Sequence, residues 1–478
     1  MKRTLLFSVL LTLAVLLAAC SNEQTVAPEP VSTQDLQVVD PARVATEILN
    51  LAGWTLEEAG SLPDPDPDKC VDLIIAFDRE EVAAGIFHYR WEIQMGMDAM
   101  DVIALHRVVK EDGANGPIRA KKSVFLQHGD AKDFRGMFLP GTLSATTQDD
   151  FGAAIYWARR DVDVWGIDQA WNLVPADATE FGYMAEWGME KQSRDLGTAV
   201  AIARLARLAT GNGYRQMILL GYSSGAATGY ALVNAETQLP PGQRQVGGWI
   251  PVDYSPVTDS DDWNELASCI FIPEYQEMMD NGEYGYFVGF DFLGNLARDD
   301  PDGDSPVFPG FTNLQTAMYF GAGPVFGVGD IHYLAGIWED GMPVDLIHTT
   351  VDQWLDFMIA GAPWEPVKYM LDYSVWGCGE TDVPWDDHFG EITLPVLNVA
   401  AAGGIGPTTY YCLELLGSRD ITDLTIQLMS PEEALFDFGH IDLWIADGAP
   451  DLVWEPILEW VEAHTPGGKG GGRVADSN

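Results

Sequence analysis

A serine between two glycines, a late histidine beside a glycine, and a carboxylate at a strand end together can carry out acyl transfer. The chain holds all three. Gly221-Tyr222-Ser223-Ser224-Gly225 follows directly on the apolar run Met217-Ile218-Leu219-Leu220. A serine on a tight strand-to-helix turn sits in a strained backbone conformation, so its neighbours two positions away must be almost free of side chain. Gly221 and Gly225 meet that need, and Ala226 and Ala227 let a following helix approach the sheet. Ser223 is the expected nucleophile, because Ser224 lacks the symmetric glycine spacing. Among 49 glycines such a pentapeptide can arise by accident. Its position at the end of an apolar strand argues for a built turn.

Two further segments extend the pattern. Ser123-Val124-Phe125-Leu126-Gln127-His128-Gly129-Asp130 is an apolar strand that ends in His-Gly, with His128 lying 95 residues before Ser223. Near the other end, Gly439-His440-Ile441-Asp442 follows the strand-like Leu424-Thr425-Ile426-Gln427-Leu428. Serine hydrolysis needs backbone donors for the developing oxyanion, a nucleophile and a base. His440 is the expected base, and His128 a brace for the oxyanion turn. The expected oxyanion donors are the backbone N–H groups of Ser224 and Asp130. The acid is less clear. The loop Ala402-Gly403-Gly404-Ile405-Gly406-Pro407-Thr408 holds no carboxylate. Asp253, ending Val252-Asp253, is the expected acid; Asp420 is its rival and Glu414 a weaker one.

In chain order and motif the sequence resembles the α/β-hydrolase superfamily, and more narrowly its acid-lipase (gastric and lysosomal lipase-like) branch. The residues that carry the resemblance are Val124 to Gly129, Asp163-Val164-Trp165-Gly166, the serine pentapeptide and Gly439 to Asp442. It spans roughly residues 85 to 465. The resemblance implies a mostly parallel, doubly wound sheet and ester hydrolysis without a cofactor or metal. In that branch the acid follows the penultimate strand, where this chain has only the glycine-rich loop.

The elements that must position these groups can be read from periodicity. Strands are expected at 84–95, 102–109, 122–127, 163–167, 246–253, 394–400 and 424–429. Helices are expected at 146–159, 193–208 and 452–464, besides the one after Ser223. In 193–208, Leu196, Ala199, Val200 and Ala203 share one face. Strands alternating with helices argue for a parallel sheet covered on both faces. Between Asp253 and Leu394 that rhythm stops, and aromatics such as Phe271, Tyr275, Phe290 and Phe320 gather. A helical cap over the serine is the expected architecture, forming an apolar pocket that excludes water. A second folded domain is the alternative.

The expected organisation is a signal peptide at 1–19, a tether and N-terminal segment at 20–60, core at 61–255, cap at 256–393, core at 394–466 and a glycine-rich tail at 467–478. Lys2 and Arg3, the apolar run Leu5 to Leu16, and Leu17-Ala18-Ala19-Cys20 match a bacterial lipoprotein signal. Cys20 would then carry the lipid, making the protein exported and membrane-attached through that anchor alone; an ordinary cleaved signal peptide is the alternative. A net charge of −46 repels nucleic acid and anionic headgroups. The expected partner is a small ester or lipid; oligomeric state is not readable.

Four cysteines remain besides Cys20, an even number in a chain read as exported, which suggests two disulfides. Cys269 with Cys378 and Cys70 with Cys412 is the expected pairing. The acidic clusters Asp64 to Asp68 and Asp300 to Asp304 read as solvated turns, since the latter lacks the sixth-position glycine and terminal glutamate of a calcium loop. An amidase or peptidase on the same triad, and a surface-binding lipoprotein without turnover, remain the alternatives to an esterase.

Overall fold

The computed structural model describes residues 40–52, 74–112, 116–329 and 331–465. The expectations for the leader, Cys20, the tether, Cys70, Asp64 to Asp68 and the tail from 467 lie outside them.

The sheet is built from β1 (Ile74–Ala83), β2 (Ile86–Gln94), β3 (Val102–Asp112), β4 (Lys122–Gln127), β5 (Val162–Asp168), β6 (Met217–Tyr222), β7 (Val246–Val252), β8 (Val396–Ala401) and β9 (Ile421–Ile426). Their order across the sheet is β1-β2-β3-β5-β4-β6-β7-β8-β9. From β5 to β9 every pairing is parallel. β1 to β3 form an antiparallel extension, and β3 pairs antiparallel with β5.

The central strands are apolar on both faces because both are covered. Met217 and Leu219 face one buried cluster, together with residues of helices α1 (Pro41–Ala52), α3 (Met189–Ala209) and α4 (Ser224–Glu236). Ile218 and Leu220 face the other, with α2 (Ala153–Ala158) and α8 (Glu455–His464). This two-residue alternation is what a strand presents to two helical layers.

Some boundaries differ from the sequence reading. α1 falls within the segment expected to be tether and N-terminal sequence, and it buries Val44, Ala45, Ile48 and Leu49. The helix expected from 146 starts only at Ala153, because Gly152 is extended (φ 160°, ψ 140°) and lies so close to Phe138 that a Cβ would come within 2.6 Å of its carbonyl oxygen. The last strand ends at Ile426 because the N–H groups of Leu428 and Met429 turn to the Asp437 carboxylate.

The insertion between β7 and β8 includes helices α5 (Phe290–Asp299), α6 (Val351–Ile359) and α7 (Val367–Cys378) and two small antiparallel sheets. Its buried residues, Leu293 and Trp354 on one side and Trp263 and Tyr369 on the other, belong to the same clusters that line the sheet. Cys269 and Cys378 form a disulfide within it. Among the described residues Cys412, the expected partner of Cys70, is a free thiol: it is buried, with Tyr230 and Ser255 beside it and its pKa pushed up to about 12 by burial.

Candidate active site

Ser223 stands at the junction of β6 and α4 with φ 55° and ψ −129°, a conformation L-residues rarely adopt. Three glycines make room for it. A Cβ on Gly221 would sit 2.4 Å from the carbonyl oxygen of Gly225. One on Gly225 would sit 2.2 Å from that of His128, and one on Gly129 2.7 Å from the Cβ of Ser223 itself. The serine turn and the His-Gly turn are therefore pressed together, and any side chain at these positions would drive them apart. The Ser223 N–H donates to the carbonyl oxygen of Val252 at 3.1 Å, tying the turn to the end of β7.

Asp253 is the next residue, with φ 52° and no exposure. Its Oδ2 accepts from His440 Nδ1 at 2.7 Å. The Ile405 N–H also donates to Oδ2 at 3.0 Å, and the Ala401 N–H donates to Oδ1 at 2.6 Å. A carboxylate only accepts, so Nδ1 carries the proton and Nε2 is left with its lone pair. The glycine-rich loop now has a physical role. A Cβ on Gly404 would come within 2.4 Å of Asp253 Oδ2 and 2.9 Å of the His440 backbone nitrogen. The loop lacks a carboxylate and supplies clearance and N–H donors for one on the neighbouring strand.

The rival acids lie elsewhere. Asp420 precedes β9 at its amino end and reaches His464 at 3.5 Å. Glu414 is exposed on the helix Tyr410–Leu415. Asp442 does not touch the imidazole but braces its loop, accepting from the N–H groups of Gly439 and Ala335 and from the Thr349 hydroxyl.

Tyr222 was not singled out from sequence, yet it holds His440 from the other side. The two rings stack at 4.6 Å, and the Tyr222 hydroxyl donates to the His440 carbonyl oxygen at 3.1 Å. His128 is buried, its Nδ1 lies 2.9 Å from the Gly129 carbonyl oxygen, and burial holds its pKa down.

Ser223 and His440 line one cavity of about 60 Å³, together with Asp130, Lys132, Met137, Tyr333 and Ile441. The insertion contributes Phe290, Trp354, Phe357 and Met358 to the same lining. The N–H groups of Asp130 and Ser224, at the two turns beside Ser223, have no hydrogen-bond partner among the described residues. Two charged side chains here went unweighed in the sequence. Burial pushes the Asp130 carboxyl up to about 6, opposed by the neighbouring Ser224 hydroxyl. Burial lowers the Lys132 ammonium to about 7, and its Nζ lies 3.8 Å from the Phe357 ring centroid. Asp130 was read only for its backbone N–H and Lys132 lies in no motif, because the charge state of each side chain depends on what the fold packs around it.

The sequence matches no family model and no curated protein. Solved structures do match by shape. A protein from Sulfolobus solfataricus provisionally described as a lipase aligns over 81% of this chain and 99% of its own, at 16% identity and a TM-score of 0.56. A soluble variant of monoglyceride lipase from Saccharomyces cerevisiae aligns over 84% and 99%, at 10% identity and a TM-score of 0.39. An esterase from Exiguobacterium antarcticum aligns over 75% and 95%, at 11% identity and a TM-score of 0.38. The strand order, the parallel central sheet and the first of these likenesses give the chain the α/β-hydrolase fold.

Proposed function

We propose that this protein is a serine hydrolase that cleaves carboxylic esters through an acyl-enzyme. The observation that carries this is the hydrogen bond between His440 Nδ1 and the fully buried Asp253, made at the cavity that also holds the strained Ser223. In this reading Ser223 Oγ attacks the ester carbonyl carbon while its proton passes to His440 Nε2. Asp253 holds the resulting imidazolium through Nδ1–H. The carbonyl oxygen, now negative, accepts from the N–H groups of Ser224 and Asp130. Collapse breaks the bond to the alcohol oxygen, which takes the proton from Nε2. Water then repeats the sequence on the acyl-enzyme and regenerates Ser223.

The lining of phenylalanine, tryptophan and methionine favours an apolar acyl or aryl group over a charged one. The description of the Sulfolobus neighbour as a lipase accords with ester chemistry. The motifs Val124 to Gly129 and Gly439 to Asp442 support kinship with the acid-lipase branch. Lys2, Arg3 and Leu17-Ala18-Ala19-Cys20 support export and attachment through a lipid on Cys20.

The test is hydrolysis of p-nitrophenyl acetate by the purified protein and by Ser223→Ala. The expected result is turnover in the first and none above background in the second, at unchanged thermal midpoint. Equal turnover in both would end the proposal.

A further inference from the structure

The loop that carries the Asp130 N–H is held on one side by the end of β5, where Asn172 donates to the Lys132 carbonyl oxygen at 2.7 Å and Asp168 accepts from the Phe134 N–H at 2.7 Å, and on the other by the insertion. Ala131 has φ 58°, a left-handed conformation that an alanine adopts only under strain, so the loop needs outside support. Its N–H donates to Glu365 Oε1 at 2.6 Å, and its carbonyl oxygen accepts from the Ala362 N–H at 2.9 Å. Lys132, next in line, bridges to Gly361 and donates from Nζ to the Phe357 carbonyl oxygen. Glu365 is only 1% exposed and sits on the short strand Trp364–Pro366, which pairs with Gly285–Phe287.

Consecutive peptide units are planar, so fixing the Ala131 N–H leaves only the two Asp130 dihedrals between that plane and the Asp130 N–H. On the other side, Gly129 is packed against Ser223. We infer that Glu365 is a positioning residue: by accepting the Ala131 N–H it aims the Asp130 N–H at the carbonyl oxygen of the bound ester. The segment 357–365 of the insertion is thereby a fixed wall of the reaction site. This rests on the ester-hydrolase reading above.

The surroundings of Glu365 fit a neutral acceptor. Burial, and next the charge of Asp130, raise its pKa well above the usual carboxylate range. Tyr275, Tyr286, Tyr333 and Tyr369 lie within electrostatic reach of it, and among the described residues it forms no ion pair with a cation. An uncharged side chain with a carbonyl oxygen at the same place would do the same work, which separates positioning from charge.

Three variants of the full chain test this with p-nitrophenyl acetate. Glu365→Gln keeps the acceptor and is expected within about threefold of wild type. Glu365→Met keeps the volume but offers no oxygen. Losing an oxyanion donor costs about 10²–10³ in kcat, so misaiming one is expected to cost at least tenfold in kcat with KM nearly unchanged. Glu365→Asp is one methylene too short to reach the Ala131 N–H and is expected to match the methionine variant, which covers the case where Met fails to fold. Equal kcat in the Gln, Met and Asp variants, or a loss confined to KM, would overturn the inference. Should wild type neither hydrolyse the ester nor react with a fluorophosphonate, the hydrolase reading itself falls and takes this inference with it.

Discussion

Replacing Asp253 by Asn tests how the imidazole is held, and the geometry sets the size of the effect. Both carboxylate oxygens of Asp253 are already acceptors, Oδ1 from Ala401 and Oδ2 from Ile405 and His440. An amide offers only one acceptor oxygen. With that oxygen at the Oδ2 position, the NH2 group meets the Ala401 N–H where a bond of 2.6 Å existed. That leaves a buried donor unmatched, at about 1–3 kcal/mol of stability. With the oxygen at the Oδ1 position, the NH2 group meets His440 Nδ1, which must give up its proton to Nε2 and stop being a base toward Ser223. In either orientation the negative charge opposite the imidazolium is gone. At about 4 Å and an effective dielectric near 20 that charge is worth ~4 kcal/mol, or roughly a thousandfold in rate. Asp253→Asn is therefore expected to lower kcat by about 10²–10⁴ on p-nitrophenyl acetate, with a modest fall in thermal midpoint. Asp420→Asn removes only an exposed contact to His464 and is expected to leave kcat unchanged. An Asp253→Asn enzyme within tenfold of wild type, or an equal loss in Asp420→Asn, would refute this account of the acid.

Phe290→Ala should enlarge the cavity and raise the butyrate-to-acetate ratio of kcat/KM. Two more buried methylenes at about 0.8 kcal/mol each correspond to roughly tenfold, and an unchanged ratio would mean the acyl chain lies elsewhere. The double replacement Cys269→Ser/Cys378→Ser opens a link across 109 residues and should lower stability by about 2–4 kcal/mol in denaturant unfolding. No change would show that the insertion is held without the bond. For Asp130→Asn the sign follows from burial. The folded state raises this carboxyl to about 6 from its ordinary value of 3.8, so the folded protein binds the proton more tightly and wild-type stability is lost as pH rises through that window. The variant's thermal midpoint should exceed wild type's at pH 8, with the gap closing toward pH 4. A pH-independent gap would contradict it.

Most of the sheet could be read from sequence because strands such as Val124 to Leu126 and Met217 to Leu220 are apolar on both faces and end in diagnostic turns. Ser223 and His440 could be put forward for the same reason, since the glycines around them mark turns that tolerate no side chain. Asp253 could be favoured only on its strand-end position. What lets its carboxylate reach His440 is Gly404, whose missing Cβ lets two loops meet, and an absent carboxylate in sequence says nothing about clearance. Glu365, Lys132 and Tyr222 escaped notice because their roles arise from contacts across large separations, 234 residues between Ala131 and Glu365. The helix Pro41–Ala52 was missed because the polar run before it suggested a tether, although Val44, Ala45, Ile48 and Leu49 carry helical spacing. Counting cysteines is blind to surroundings: Cys412, free among the described residues, is enclosed by Tyr230 and Ser255.

The central claim is that Ser223 is an activated nucleophile. It is tested most directly by treating the intact protein with a fluorophosphonate and locating the adduct by peptide mass spectrometry. The account predicts one adduct, on Ser223, formed rapidly by wild type and at least a hundredfold more slowly by His440→Ala, since loss of a positioned general base removes about 10²–10⁴. An adduct on Ser224, no adduct at all, or equal labelling rates with and without His440 would contradict it.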